Sequence, residues 1–579
     1  MAQGVFQVPS SLFWILCSTI ICHFMHEYIS RYIFQDISLL PPQRHASVSR
    51  SANVSSVWCH SIDSVLRCNF KNLCYAAKEN QFIFFLTGES VISGVNMKEI
   101  KSLPVSSVAN HNLLSINLAV VSNRNAILNR HRINHGSIFL LWRFKWDNIM
   151  HVLHDDLIPL FFTYASLCTD DIENCIRRYR LGFVDGGDAG ELAEWYRVFS
   201  NSDPLFLHQE RSDNLICFDE AQTGLLRSSS WFQYGFGRPQ GPLGKKYINQ
   251  KLMYQFTNYI FSRFDVQKNH NVVGYKPVLL FSRRLNRRIL NEDHLKTMIM
   301  DSYHSVIPET SKLLIISLDV AANDTKSILS AVHSSDIMVG MHGSAMIFSL
   351  FLSPGSVVVE LFPFGIIPQY VSPIKAWAET EGSGIIYKSW ENMKEFNSFP
   401  HPDAPPLLGG IHHLPVAEQM AIKNAKLVPA VECCHNSLYL YRIFQDTVVD
   451  LDFSKVFKQA LLEKHKFSLE NFTENYSNRE IMLHYFPAPV SNIICSFENR
   501  KLVISWQPPI NININSTLYK VAVVSNKDLQ FTTESSVPNI TVPLQTTLLG
   551  NVDFDIWIKS VAQKEESTDV YAKCHIHMP

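Results

Sequence analysis

The stretch MVGMHGSAMIFSLFLSPGSVVVELFP, residues 338–363, decides the fold class. An apolar strand runs into a small polar loop, His-Gly-Ser. An apolar helix follows, then a turn at Ser-Pro-Gly and a Val-rich strand. Upstream, PVLLFSRR (277–284) reads as strand, HLKTMIM (294–300) as helix, KLLIISL (312–318) as strand and KSILSAVHSSD (326–336) as helix. KLMYQFTNYIFSRF (251–264) is an amphipathic helix that opens the block. Alternating strand and helix is the signature of a parallel, doubly wound α/β sheet. Such sheets bind ligands beyond the C-terminal ends of their strands.

Two features of this block favour an anion at that edge. Backbone N–H groups at the start of the 345–352 helix, with Gly343 permitting close approach, form an anion cradle to which His342 and Ser344 contribute. In LLFSRRLNRRILN (279–291), Arg283, Arg284, Arg287 and Arg288 follow directly on a strand, with Asn286 among them. Arginine forks grip phosphates bidentately. A surface helix also tolerates such a run, so the strand-end position carries the weight. Glu360, closing the next strand, is placed to accept ribose hydroxyls. The chain has 51 basic and 52 acidic residues, a net charge of −1. That balance speaks against a nucleic-acid partner and makes the anion site local. Neither a Walker motif nor G-x-G-x-x-G occurs.

A second segment carries chemistry. WRFKWDNIMHVLHDDLIPLFF (142–162) sets His151, His154, Asp155 and Asp156 among apolar residues. Asp147 or Asn148 can cap a helix. At 100° per residue, Ile149, Met150, Leu153, Leu157 and Leu160 form one stripe. His151 and Asp155 are neighbours at i and i+4, with His154 beside them, while Asp156 points elsewhere, to the surface or behind the pair. Three readings stay open: a solvated or structural His–Asp face, a metal site using His151, His154 and Asp155, and a general-base dyad facing a cleft. Two D-x-D triplets, Asp450/Asp452 and Asp553/Asp555, read as incidental.

At 579 residues, 46% hydrophobic and 18% charged, the chain holds about three or four folding units at ~100–200 residues each. Residues 8–25 are apolar for about the length of a short membrane span. We read 1–28 as an uncleaved signal-anchor and 29–55 as a stem. Ten cysteines beyond the anchor and sequons at Asn53, Asn323, Asn471, Asn475, Asn515 and Asn539 agree with an oxidising lumen. Cys495 and Cys574 bracket the last segment and could staple it. That segment, 484–579, has evenly spaced short strands and reads as an all-β sandwich around Trp506, behind a linker near 473–490.

Several strings resemble a known family. NIMHVLHDDLIPLF, FSRRLNR and MHGSA…FLSPGSVVVELFP, together with FKNLCY (70–75), WFQYGF (231–236), QGP (240–242) and CCHN…YRIFQDT (433–447), are similar to the glycosyltransferase family of plant xylosyl- and arabinosyltransferases and the EGF-domain O-GlcNAc transferase. The resemblance covers about residue 56 to the end. It implies a GT-B glycosyltransferase with two Rossmann-like halves, 56–250 on the acceptor side and 251–478 on the UDP-sugar side. A fibronectin type III domain would follow at 484–579.

In the branch with the most similar motifs, the implied reaction is inverting transfer of GlcNAc from UDP-GlcNAc to O-linked mannose on protein. α-Dystroglycan is the type acceptor. The implied location is the endoplasmic reticulum membrane, single-pass type II, with no metal cofactor; a homo-oligomer is compatible with it. Arg283, Asn286 and Arg287 would hold the diphosphate, His342, Gly343 and Ser344 the cradle, and Glu360 the ribose. Arg143, Asn148, His151 and Asp155 would face the sugar. The base would be His151 or Asp155. Transfer of another sugar directly to serine or threonine, or a non-catalytic lumenal glycan-binding subunit, remain the rivals.

Overall fold

The structure, a computed structural model, describes residues 54–578 apart from 63–64, 89, 97–98, 109–114, 122–129, 168–171, 212, 235–238, 244–247, 268–274, 308–311, 430–435, 469–489, 499–500, 509–516, 526–529, 545–549, 563–564 and 568–569. The anchor, nearly all of the stem, and the sequons at Asn53, Asn471, Asn475 and Asn515 lie outside the described residues, as do Cys168, Cys433 and Cys434. Asn323 and Asn539 are both exposed. Among the described residues no helix is long and apolar enough to cross a membrane.

The 275–391 block forms a five-stranded sheet, parallel throughout. In chain order its strands are Tyr275–Ser282, Lys312–Asp319, Ile337–Met341, Val357–Phe362 and Ile386–Glu391. In space they run second, first, third, fourth, fifth. Connections therefore leave the first strand in one direction and return from the third in the other. The crevice between the C-terminal ends of those two strands is the switch point where doubly wound sheets bind ligands. Ser282 ends one and Met341 the other, so the arginine run and the His-Gly-Ser loop emerge side by side.

The N-terminal half departs from the expected Rossmann-like form. Its eleven-stranded sheet is mixed. Ser137–Leu141, Arg180–Phe183 and Leu205–Phe206 are parallel neighbours with helices between them. The long strand Val65–Ala76, however, pairs antiparallel with Ser56–Ile62, Gln81–Phe85 and Leu215–Thr223. Short connections such as 77–80 cannot make a parallel crossover, so they impose hairpins. Disulfides staple two of these pairings in register, Cys59–Cys68 and Cys74–Cys217. Cys175 is disulfide-bonded as well.

Residues 490–578 form a three-stranded and a five-stranded antiparallel sheet around one core. Leu502, Ile504 and Trp506 face Tyr519, Val521, Phe554 and Ile556 there. Burial alternates along Lys501–Gln507, as a strand with one face inward requires. Cys495–Cys574 joins the two sheets, the staple that their positions suggested.

Candidate active site

The His-rich segment is no ordinary amphipathic helix. Asn148 caps it, its Oδ1 accepting from the Met150 N–H at 3.0 Å. Ile149–His151 is α-helical, Val152–Leu157 is a π-turn, and Ile158–Leu167 resumes the α form. In the π-turn the Ile158 N–H reaches back five residues to the Leu153 carbonyl. Every residue from 149 to 166 is buried, so the expected apolar back and polar front do not exist. Burial of each large apolar side chain contributes ~1.5–3 kcal/mol, which offsets the cost of the ionisable groups sealed in among them. Wide turns of this kind concentrate at functional sites.

Those groups satisfy one another. His151 Nδ1 lies 2.7 Å from Asp155 Oδ2, and His154 Nδ1 lies 2.7 Å from Asp155 Oδ1. With both Nδ1 atoms committed to the carboxylate, the three residues do not converge on a metal position. Burial pushes the Asp155 carboxyl up, but His154 and His151 together outweigh it and hold it below the usual carboxylate range. His154 is fully buried, and its Nε2 accepts from the Trp231 backbone N–H at 3.4 Å. Tyr234 Oη is 3.0 Å from its Nδ1. His151 is different. A tenth of its side chain stays exposed. Among the described residues its Nε2 has no hydrogen-bond partner. Its ring is wedged edge-on between Phe144 and Tyr234, at 4.8 and 4.5 Å.

Asp156, read above as a surface or supporting residue, is fully buried. It accepts from Tyr196 Oη at 2.7 Å and from the Phe144 N–H at 3.3 Å. Burial pushes its carboxyl well above the usual range, against the Tyr196 hydrogen bond, and the Asp155 charge adds to the rise. Arg143 is also fully buried, so it does not line an open sugar site. It forms a two-pronged ion pair with Asp185, at 2.7 and 3.0 Å, under the ring of Phe183. It pins the loop that enters the π-turn helix.

The four arginines of the second cluster separate into two pairs. Arg284 and Arg288 face outward and pair with Asp319 and Asp446. Arg283 and Arg287 turn to the His-Gly-Ser loop and form no ion pair with a carboxylate among the described residues. Arg283 is held by Asn286, through Nε to its carbonyl at 3.1 Å and Nη2 to its Oδ1 at 3.4 Å. Arg287 occupies the left-handed backbone region at φ 52°, rare without a compensating role. Its Nη1 donates to the His342 carbonyl at 3.1 Å, and its guanidinium lies over Phe444. Burial, with the Arg283 charge beside it, pushes the Arg287 guanidinium down to about 9. Two crowded, desolvated cations without counter-ions are a site that an anion would stabilise. A Cβ at Gly343 would stand 2.9 Å from Nη1 of both arginines, so any larger residue would have to push their guanidiniums aside.

Ser344 then opens a 3-10 helix, Ser344–Phe351, where an α-helix was expected. Its hydroxyl has no protein partner among the described residues. His342 Nδ1 is 2.7 Å from Glu360 Oε1. The ribose role of Glu360 needs revision: it is fully buried, and its Oε2 already accepts from Ser372 and Tyr387, at 2.5 and 2.6 Å. It anchors His342.

The elements beside the two clusters meet. Ile149–His151 packs directly on Ser344–Phe351, and Ile149, Met150, Met346 and Ile347 share one core. Residues the sequence reading gave no role complete the site. Phe444 and Asp446, from YRIFQDT, brace the arginine loop. Trp231 and Tyr234, from WFQYGF, enclose His154. Both triplets read as incidental have local partners: Lys394 for Asp450 and Asp452, Lys573 and His575 for Asp553, and the Tyr571 hydroxyl for Asp555.

The model of the family described as Glycosyltransferase 61 matches residues 21–359. "Protein O-linked-mannose beta-1,4-N-acetylglucosaminyltransferase 2" of Xenopus laevis is 30% identical over 516 residues, 86% of this chain and 84% of that protein. The proteins of the same name from Canis lupus familiaris and Mus musculus are each 33% identical, over 86% and 77% of this chain and 84% and 75% of their own lengths. The chain belongs to the glycosyltransferase 61 family.

Proposed function

We propose that this chain transfers GlcNAc from UDP-GlcNAc to the 4-hydroxyl of an O-linked mannose on protein, with inversion. One observation carries the chemistry: the uncompensated Arg283/Arg287 pair stands at the switch point of a doubly wound sheet, and the segment that begins the His151–Asp155 pair packs on the Ser344–Phe351 helix beside it. The names of the relatives supply the sugars and the linkage.

In this reading the diphosphate of UDP lies against Arg283, Arg287 and the Gly343–Ser344 backbone, with Asn286 and His342 holding that frame. Asp155 accepts the Nδ1–H of His151 and so leaves the Nε2 lone pair as the base. Nε2 takes the mannose hydroxyl proton. The hydroxyl oxygen attacks C1 of GlcNAc from the face opposite UDP, and the C1–O bond to phosphate breaks. The arginines neutralise the charge that develops on UDP, which is why we expect no metal. Asp155 stabilises the imidazolium. Arg143 and Asn148 shape the entry to this helix.

The two α/β sheets would be the halves of a GT-B enzyme, and residues 490–578 a fibronectin type III domain that helps grip the polypeptide. The apolar run 8–25 supports a type II anchor in the endoplasmic reticulum membrane, with α-dystroglycan-like O-mannosylated protein as acceptor. The test is a donor and acceptor panel: UDP release from UDP-GlcNAc and UDP-xylose, with mannosylated and bare peptides. UDP-GlcNAc with the mannosyl peptide should turn over above all other pairs. Turnover on bare peptide, or with xylose, overturns the substrate assignment. Activity lost in EDTA and restored by manganese overturns the metal-free mechanism.

A further inference from the structure

The base cluster and the cradle are joined by a buried chain of polar contacts through Trp231. At one end its ring stands edge-on to His154, centroids 4.3 Å apart, and its backbone N–H points at His154 Nε2. A donor there makes Nε2 the acceptor, so neutral His154 carries its proton on Nδ1 and gives it to Asp155 Oδ1. The alternative tautomer would set two N–H groups face to face. At the other end the indole Nε1 donates to the Pro373 carbonyl at 2.8 Å. Pro373 begins the Pro373–Ala378 helix, capped by Ser372, whose Oγ accepts from the Lys375 N–H at 2.9 Å. The same Ser372 hydroxyl donates to Glu360, which holds His342 of the cradle. Every link from His342 to His151 is a named contact, and Trp231 is nearly fully buried.

We propose that Trp231 is a positioning residue that holds the His151 base in register with the donor cradle. This rests on the reading of His151 as the base. The bonds at Trp231 span the two halves of the chain, so a shift of the Ser372–Pro373 corner is passed to His154. Asp155 then moves with His154, and His151 with Asp155. Without the indole N–H, the base keeps its chemistry and the cradle its charges, but their separation is no longer fixed. Misplacement of that kind is expressed in turnover rather than in ground-state binding.

The experiment is a double-mutant cycle. Trp231→Phe keeps an aromatic ring beside His154 but deletes the indole N–H together with the five-membered ring that carries it. Ser372→Ala cuts the chain one link nearer the cradle. In the full-length enzyme, kcat, donor KM and calorimetric UDP affinity are measured for wild type, both single variants and the double. Trp231→Phe should lower kcat about tenfold while UDP affinity stays within about twofold. The double variant should lose no more kcat than the worse single one, because both cut one strut. Multiplicative losses, or an unchanged kcat in Trp231→Phe, overturn the proposal. Should Trp231→Phe fail to bind UDP through misfolding, Ser372→Ala decides: an unchanged kcat at saturating UDP-GlcNAc overturns it. Wild-type turnover that survives His151→Ala would instead refute the base assignment, whatever the cycle shows.

Discussion

The His151–Asp155–His154 cluster and the Arg283–Arg287 pair both sit at the C-terminal ends of strands, yet they balance charge in opposite ways. The first is closed. Two imidazoles share one carboxylate, and among the described residues the only polar ring atom without a protein partner is His151 Nε2. The second is open, with two desolvated guanidiniums and, among the described residues, no carboxylate between them. A balanced cluster with one vacant lone pair suits proton transfer. An unbalanced one suits capture of an anion. In the proposed reading, the contrast separates the work: chemistry in the N-terminal half, donor binding in the C-terminal half.

Substitutions should therefore break one function at a time. His151→Ala should lower transfer by ~10²–10⁴-fold and leave UDP affinity within about twofold, measured by UDP release and calorimetry. Arg287→Ala should do the converse first, weakening UDP about 10–100-fold, while Arg284→Ala, already paired with Asp319 at the surface, should leave it unchanged. Gly343→Ala should weaken UDP about tenfold, since its methyl group would collide with both guanidiniums.

The smallest effect concerns pH. Asp155 is held below its unfolded pKa, so its contribution to stability is present above that pKa and lost as pH falls through the folded value. Asp156 is raised, so its contribution is complete below the unfolded pKa and lost as pH rises through the folded value. Asp156→Asn imitates the neutral acid. It should match wild-type stability at pH 8 or exceed it, to within about 1 kcal/mol, and flatten the loss of stability as pH rises above the unfolded carboxylate range. A strongly destabilised variant at pH 8 would mean that Asp156 works as an anion, and the charge balance of the cluster would have to be redrawn.

Legibility also differed between the two regions. Strand–helix alternation placed the parallel sheet correctly, and the strand-end rule picked out the arginine run and His-Gly-Ser, because both depend on local order along the chain. It could not separate Arg283 and Arg287 from their neighbours. That choice is made by the left-handed turn at Arg287 and by Phe444, some 160 residues away. Periodicity misread the 142–162 segment because a π-turn breaks the 100° rule and because the helix is buried on all sides. The antiparallel strands of the N-terminal half come from pairings such as Val65–Ala76 with Leu215–Thr223, which no local pattern encodes. The position of Glu360 near a strand end was legible; the hydroxyls of Ser372 and Tyr387 that occupy it were not.

The most direct measurement is a structure of the enzyme with UDP and a mannosyl peptide bound. The diphosphate should lie against Arg283, Arg287 and the Gly343 backbone, with the mannose 4-hydroxyl within about 3 Å of His151 Nε2. A diphosphate bound away from these arginines, or a 4-hydroxyl bonded to Asp155 with His151 turned aside, would contradict this placement.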